Sequence, residues 1–377
     1  MSAELALSPV LAAYSSDCEP RRIENLGSAG GFSGARFWRL EAPRGFLCLR
    51  RWPAERPSAR RLEFVHAVLD YVHRHGFFLL PLPIRTLSGK TTCSHFGHLW
   101  ELTPWLPGAA DYLPERKPEK LAAALTALAR WHRAAAEFPQ SDQQLAASPG
   151  NLSRLAQLEQ LRSGGLTRLS IAVENRRGLP PFAAGTIASM VAELKGTVPL
   201  SVDGSQIGSN RPEWAELAGM AERLFALFFR VQRTVGERLI SAASIRVPLQ
   251  PCIRDVWHDH VLFEGDRVSG IIDFGALRLE TVAGDVARLL GSLAGDDLEA
   301  REHGLAAYQA VRPLSDEELT LVRVFDESAM LLSGFNWLEW VFLSQREFED
   351  PAEVVRRMRG ILDRLEFCSS NRAFDLS

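Results

Sequence analysis

The chain has 377 residues, a formal net charge of −3, and apolar side chains at 46% of its positions. That length and balance support a sizeable core over about two domains and give no bulk attraction for nucleic acid or an anionic membrane. Cys18, Cys48, Cys93, Cys252 and Cys368 are scattered and odd in number, residues 1–9 do not form a leader pattern, and no apolar run reaches the roughly 18 residues of a membrane span, so the expectation is a cytoplasmic protein with reduced thiols rather than a disulfide frame or zinc site.

Residues 1–21 form an extension. Strand-like runs follow at 22–26, 35–41 and 46–52, with the glycine-rich stretch 27–34 joining the first pair and Ala42-Pro-Arg-Gly the second. A helix is expected from Ser58 to His75, because Leu62, Val65, Leu69 and Val72 recur at helical spacing. Further strands are expected at 82–87, 91–95 and 98–102 before Pro104, Pro107 and Gly108 interrupt the pattern. Residues 22–100 thus make a small β-rich N-terminal lobe, and 101–108 a hinge.

The texture then changes. Residues from Pro118 spell a strong helix with Leu121, Leu125, Leu128 and Trp131 on one face. Residues 140–151 are polar and loop-like, 152–245 mostly helical, and 196–212 a loop insertion. A hairpin is expected at 261–272, turning through Glu264-Gly265-Asp266, and helices at 285–293, 298–311, 316–343 and 351–367. The fold class is therefore α+β: a bilobal protein with a larger helical C-terminal lobe at 109–377 that carries the hairpin segment 253–275.

The hairpin is the most informative part of the chain. Asp255 precedes it and Asp273 ends it, so two carboxylates flank one tight turn and can face a common point. One can accept a proton while the other holds a cation, which is what phosphoryl transfer requires. Upstream, Gly27, Gly30, Gly31 and Gly34 lie between two expected strands, where missing side chains let backbone N–H groups approach phosphate; an ordinary glycine-rich turn fits the same residues. Period-two alternation puts Cys48 and Arg50 on one face of the third strand. There Cys48 would roof a planar base and Arg50 reach phosphates, against the plainer reading of a solvated arginine at a strand end. Glu63 on the next helix is placed to hold Arg50, or is a surface glutamate. The hinge offers adenine its backbone at Thr103 or Trp105, while Trp105 equally suits packing.

The segment Ile253-Arg-Asp-Val-Trp-His-Asp-His-Val-Leu-Phe263, followed by Ile-Asp-Phe-Gly275 and by Gly284-Asp285 opening a helix, resembles the aminoglycoside phosphotransferase and choline kinase superfamily, relatives of protein kinases. The resemblance runs from about residue 22 to 367, though its specific motifs cover only some fifty residues. It implies a protein-kinase-like fold and transfer of phosphate from ATP, with magnesium, to a hydroxyl of a small molecule. It places the base at Asp255, a metal-binding carboxylate at Asp273, and a brace for the catalytic loop at Asp285. Three positions depart from the family pattern: His260 stands for its asparagine metal ligand, Arg50 for its lysine, and Ile253 for its leading histidine. His260 as a ligand would shift metal preference, since oxygen suits magnesium better than imidazole. The same departures motivate the alternative of a nucleotide-binding pseudokinase. The run Trp257-His258-Asp259-His260 admits a lesser alternative, a metal-dependent phosphohydrolase. The acids at 296, 297, 299, 302 and 339 with Trp337 and Trp340 are read as a solvated face over a buried aromatic stripe, with a cationic acceptor site as the alternative.

Overall fold

The computed structural model describes residues 3–28, 31, 33–139, 142–177, 191, 212–346, 348 and 350–370. The chain divides into two compact units. The first comprises Met1–Ala146 and Pro248–Glu318, the second Ala147–Val247 and Leu319–Ser377.

The first unit is built on a five-stranded antiparallel sheet in the order β1-β2-β3-β5-β4. Its strands are β1 (Arg22–Gly27), β2 (Arg36–Ala42), β3 (Gly45–Arg51), β4 (Cys93–His95) and β5 (His98–Pro104). Alternation divides its two faces. Trp38, Leu40, Leu47, Leu49, Trp100 and Leu102 form a buried cluster with Leu7 and Val10 of α1 (Ala3–Leu11). The opposite face is set by register: Cys48 lies across from Arg39 and Thr103, and Arg50 across from Phe37 and Glu101. Helix α2 (Ala59–Arg74) begins where the Ser58 hydroxyl accepts the Arg61 N–H, and it buries Leu62, Val65, His66, Val68, Leu69 and Val72.

The strand expected at 82–87 does not form. Leu82, Ile84, Thr86 and Leu87 donate scattered backbone bonds, to Leu80, Leu102, Lys90 and Ala13, and Pro83 supplies no N–H to a ladder. Helix α3 (Pro118–Ala135) buries Leu121, Leu125, Leu128 and Trp131 as its spacing predicts. The polar stretch expected to be a loop at 140–151 instead contains strand β6 (Asp142–Ala146). It borders a three-stranded sheet, β10-β7-β6, with β7 (Val247–Cys252) in the middle and β10 (Arg278–Glu280) at the other edge. The hairpin forms as expected from β8 (Val261–Glu264) and β9 (Arg267–Ile271), with Gly265 at φ 60° in its turn. Helices α7 (Ala283–Leu293) and α8 (Leu298–Gln309) complete this unit.

The second unit is helical among its described residues. It contains α4 (Pro149–Gln160), a π-helical turn at Leu161–Gly165, α5 (Leu166–Arg177) and α6 (Pro212–Ala242). Most of α9 (Asp316–Leu338), a π-helical turn at Glu339–Leu343 and α10 (Pro351–Ser370) follow. Phe225, Phe228 and Phe335 pack edge to face at its centre, and Arg223 of α6 grips Glu366 of α10 with two hydrogen bonds of 2.9 and 2.7 Å. Residues 196–211 of the expected insertion lie outside the described residues.

Candidate active site

The segment between β7 and β8 is held by one buried carboxylate. Asp285, in the first turn of α7, accepts the backbone N–H groups of Ile253 at 2.7 Å and Arg254 at 2.6 Å. The second of these oxygens-to-nitrogen contacts fixes Arg254 at φ 67°, a conformation that costs a side-chain-bearing residue about 1–3 kcal/mol. Asp285 also takes the Nε2–H of buried His132 at 3.2 Å, so the His132 Nδ1 lone pair accepts the Tyr308 hydroxyl at 2.7 Å. Burial holds the His132 imidazole below its usual range, although Asp285 opposes the shift. These contacts form one polar knot beneath the loop, in which both carboxylate oxygens of Asp285 accept a hydrogen bond.

Asp255 follows directly. Its Oδ1 accepts the Arg288 guanidinium of α7, and both side chains are a little under half exposed, at 44% and 43%. Arg288 has no place in the sequence reading; its position three residues after Asp285 on a helix puts it on the neighbouring surface, but nothing local marks its partner. Asp273 sits at the far end of the hairpin in the left-handed region, φ 61° and ψ 67°, which aspartate tolerates better than most residues. Its Oδ1 accepts Arg50 Nη1 at 3.1 Å, and its Oδ2 lies 3.9 Å from His260 Nε2. Burial pushes the Asp273 carboxyl up, but Arg50 and the Gly275 N–H outweigh it and hold the group below the usual carboxylate range.

His260 lies between the Asp273 carboxylate and the backbone of Asp255. Its Nδ1 lies 2.6 Å from the Asp255 carbonyl and its Nε2 3.0 Å from the Trp257 indole N–H. A carbonyl only accepts and an indole only donates, so the proton is on Nδ1 and the lone pair on Nε2. That lone pair accepts the Trp257 indole N–H, at a point 3.9 Å from Asp273 Oδ2. His258, by contrast, is tied to α7: its backbone N–H donates to the Ser292 hydroxyl at 3.0 Å, and its Nδ1 receives that hydroxyl at 2.7 Å. Among the described residues, the one trio of converging metal-ligating side chains is His132, Cys252 and Asp285. All three are engaged in the knot or, for Cys252, with the Glu280 carbonyl at 3.2 Å. The His258–Asp259 pair therefore gathers no hydrolase-type ligand set.

Arg50 differs from expectation in its support. Glu63 is exposed on α2, whereas Arg50 lies 4.0 Å from Glu101, its cross-strand partner on β5. The inward residue of α2 is His66, which donates Nε2–H to Glu101 at 2.8 Å and accepts the Thr91 hydroxyl at 2.7 Å. A strand-borne acid braced by a helix-borne histidine thus takes the place foreseen for Glu63, because adjacent strands bring their same-face side chains closer than the helix does. The guanidinium lies 3.5 Å over the Trp52 ring, and its buried Nε has no hydrogen-bond partner.

Cys48 shares this face. Burial, with Glu101 adding to it, pushes its thiol up to about 12 against the pull of Arg50, so it is a protonated, apolar-like surface at neutral pH. Thr103 lies opposite Cys48 within β5. The Trp105 N–H is committed to the Phe46 carbonyl at 2.9 Å, so that donor is not offered to a base. The Trp105 ring instead stacks with the Arg39 guanidinium at 4.9 Å, and Arg39 also covers Phe46 at 4.5 Å. A cavity of about 280 Å³ opens here between Arg22, Glu24, Arg39, Glu41 and Phe46. In the glycine-rich segment, Gly31 donates its N–H to the Ser28 carbonyl at 2.9 Å; Gly30 lies outside the described residues.

The connector is pinned to the hairpin. Ala109 and Phe263 exchange backbone hydrogen bonds of 3.0 and 2.8 Å, and Ser269 Oγ donates to the Pro107 carbonyl at 2.7 Å. Gly108, at φ 90°, makes this possible: a Cβ there would stand 2.3 Å from Ser269 Oγ and 2.5 Å from the Phe263 carbonyl oxygen.

A family model for the phosphotransferase enzyme family matches residues 27–318. Homoserine kinase of Mesorhizobium japonicum (strain LMG 29417 / CECT 9101 / MAFF 303099) is 33% identical over 114 residues, 28% of this chain and 36% of that protein. Homoserine kinase of Brucella melitensis biotype 2 (strain ATCC 23457) is 37% identical over 114 residues, 28% of this chain and 35% of that protein. The similarity thus spans about a third of the length of these relatives. Among solved structures, a spectinomycin phosphotransferase in complex with ADP and spectinomycin superimposes with a TM-score of 0.64 at 11% identity, covering 98% of this chain and 99% of that one. A microcompartment-associated aminopropanol kinase superimposes with a TM-score of 0.60 at 14% identity over 100% of both chains. These likenesses establish a shared fold.

Proposed function

The chain belongs to the phosphotransferase enzyme family, and from that premise we propose that it transfers the terminal phosphoryl group of ATP to a hydroxyl of a small molecule. One observation supports the reading: Arg50 contacts the Asp273 carboxylate, His260 lies beside that carboxylate, and His260 is hydrogen-bonded to the backbone carbonyl of Asp255, all within the first unit. A cation, a carboxylate, a further ligand and a base are what the reaction needs side by side.

The residues suit a nucleotide and a divalent cation. Asp273 offers hard oxygen, His260 presents a lone pair on Nε2, and Arg50 has a buried Nε without a partner. When bound, the magnesium nucleotide supplies the electrophilic phosphoryl group and neutralises its charge. Asp273 and His260 would hold the cation, and the Nε2 contact with Trp257 would have to yield for imidazole ligation. Arg50, kept in place by Glu101, orients phosphate oxygens through a planar fork. The base would meet Cys48 and the Trp105–Arg39 stack, with the Thr103 region and Gly31 available to the nucleotide. Asp255 accepts the proton of the acceptor hydroxyl on the carboxylate that Arg288 orients. Asp285 keeps the loop in the geometry that presents it.

No helix among the described residues is long and apolar enough to cross a membrane; a cytoplasmic location is part of the same proposal. Homoserine, aminopropanol and spectinomycin, taken from the names of the similar proteins, are the first acceptors to test. The measurement is ADP release across a panel of hydroxyl compounds with ATP and magnesium. Asp255→Asn should lower turnover about 10²- to 10⁴-fold with an unchanged melting temperature. Turnover unaltered by that change removes Asp255 from the base role. Nucleotide binding that is indifferent to magnesium, with no acceptor-dependent ADP release, favours the pseudokinase.

A further inference from the structure

Three arginines lie on neighbouring segments beside the Asp255 loop, and none of them is paired with an acid among the described residues. Arg278 begins β10 directly opposite Cys252, two residues before Arg254. Arg61, in the first turn of α2, donates to the carbonyl of Leu277, the residue preceding Arg278. Arg254 and Arg278 are exposed and Arg61 is half-buried. Among the described residues, none of the three guanidinium groups is within ion-pair distance of a carboxylate. Burial, and after it the neighbouring Arg278 and Arg254 charges, hold the Arg61 guanidinium below its usual range. Arg254, whose backbone N–H is held by Asp285, sits at φ 67°, a conformation that glycine adopts without cost.

Uncompensated like charges on three separate elements are a standing electrostatic cost. Such an arrangement becomes favourable when an oxyanion sits at its centre, because guanidinium groups bind phosphate and carboxylate through paired, charge-assisted hydrogen bonds. The N-terminal turn of α2 adds its positive end to the same place.

We propose that Arg61, Arg254 and Arg278 form a binding site for a phosphate or carboxylate group, distinct from the Arg50–Asp273 centre and adjacent to the catalytic loop. The occupant is either an acidic group on the acceptor molecule or free inorganic phosphate. Binding at this site does not require the transfer reaction, so it can be tested whether or not the proposed activity is found.

The probe is inorganic phosphate, titrated into the full chain by calorimetry and followed by melting temperature. The native chain should bind saturably and melt higher with phosphate. Arg278→Ala should melt higher than the native chain in phosphate-free buffer, since it relieves repulsion, yet lose at least about tenfold in phosphate affinity. Arg254→Gly, which removes both charge and backbone strain, should behave the same way and guards against a misfolded first variant. Arg278→Lys should retain most of the affinity. Arg50→Ala should keep the calorimetric phosphate signal. Two results would overturn the proposal: phosphate affinity unchanged in both Arg278→Ala and Arg254→Gly, or a phosphate response abolished by Arg50→Ala alone. Within a positive result, phosphate that raises the acceptor KM with kcat unchanged marks the acceptor's acidic group as occupant. Phosphate that changes kcat with the acceptor KM unchanged marks free phosphate.

Discussion

Asp273 carries three constraints at once: a left-handed backbone, an ion pair with Arg50 and a lowered pKa. The sign of its contribution to stability follows from the last of these. A carboxyl whose folded value lies below its unfolded value stabilises the fold in full above about pH 4 and loses that contribution as pH falls through the folded value. Asp273→Asn should therefore melt below the native chain at neutral pH, with the gap narrowing in acid. A gap that is independent of pH would mean that the Arg50 contact contributes nothing. The identity of Asp273 was legible from its place after a β-rich run and before Phe274-Gly275. Glu101, the cross-strand partner of Arg50, was not, because which residue faces Arg50 depends on strand register, and register is decided by the pairing of β3 with β5 rather than by either strand alone. Arg288 escaped for a related reason: a helix-surface arginine has no sequence signature that distinguishes solvent from an acid across a loop.

At the level of elements, local periodicity predicted what local physics decides. Leu47 and Leu49 alternate with Cys48 and Arg50, and β3 buries the first pair in the sheet core while presenting the second pair on the other face. Where tertiary pairing decides, the signal fails. β6 is polar throughout Asp142-Gln-Gln and becomes a strand only because β7 offers an edge. The run at 82–87 has strand-like residues, but Pro83 cannot donate. The connector shows how one position couples two elements. Gly108→Ala would put a methyl group against Ser269 and the Phe263 carbonyl in a backbone conformation that alanine disfavours. Overpacking of this kind costs about 1–3 kcal/mol, so the variant should unfold at lower denaturant concentration than the native chain. An unchanged midpoint would show that the connector and hairpin part without penalty.

Across the whole molecule, the α+β class and the segregation of strands toward the N-terminal part were legible, as was the hairpin that bears both acids. The division into two units cuts across sequence order, which composition does not reveal. The sheet β10-β7-β6 takes β6 from before residue 147 and its other two strands from the second half of the chain. A protein ended after residue 246 should therefore lack a stable first unit, with β6 open to protease, while one ended after residue 318 should protect it. Equal protection of both fragments would show that the sheet is dispensable.

That interleaving bears on how the protein is born. During vectorial synthesis the residues up to Ala146 leave the ribosome long before β7 and β10 exist. The edge of β6 has to wait, unpaired, while about a hundred residues emerge behind it. A nascent chain with such a delay is a natural client for a chaperone that shelters open strand edges, and the pace of translation through the intervening stretch would set how long the shelter is needed.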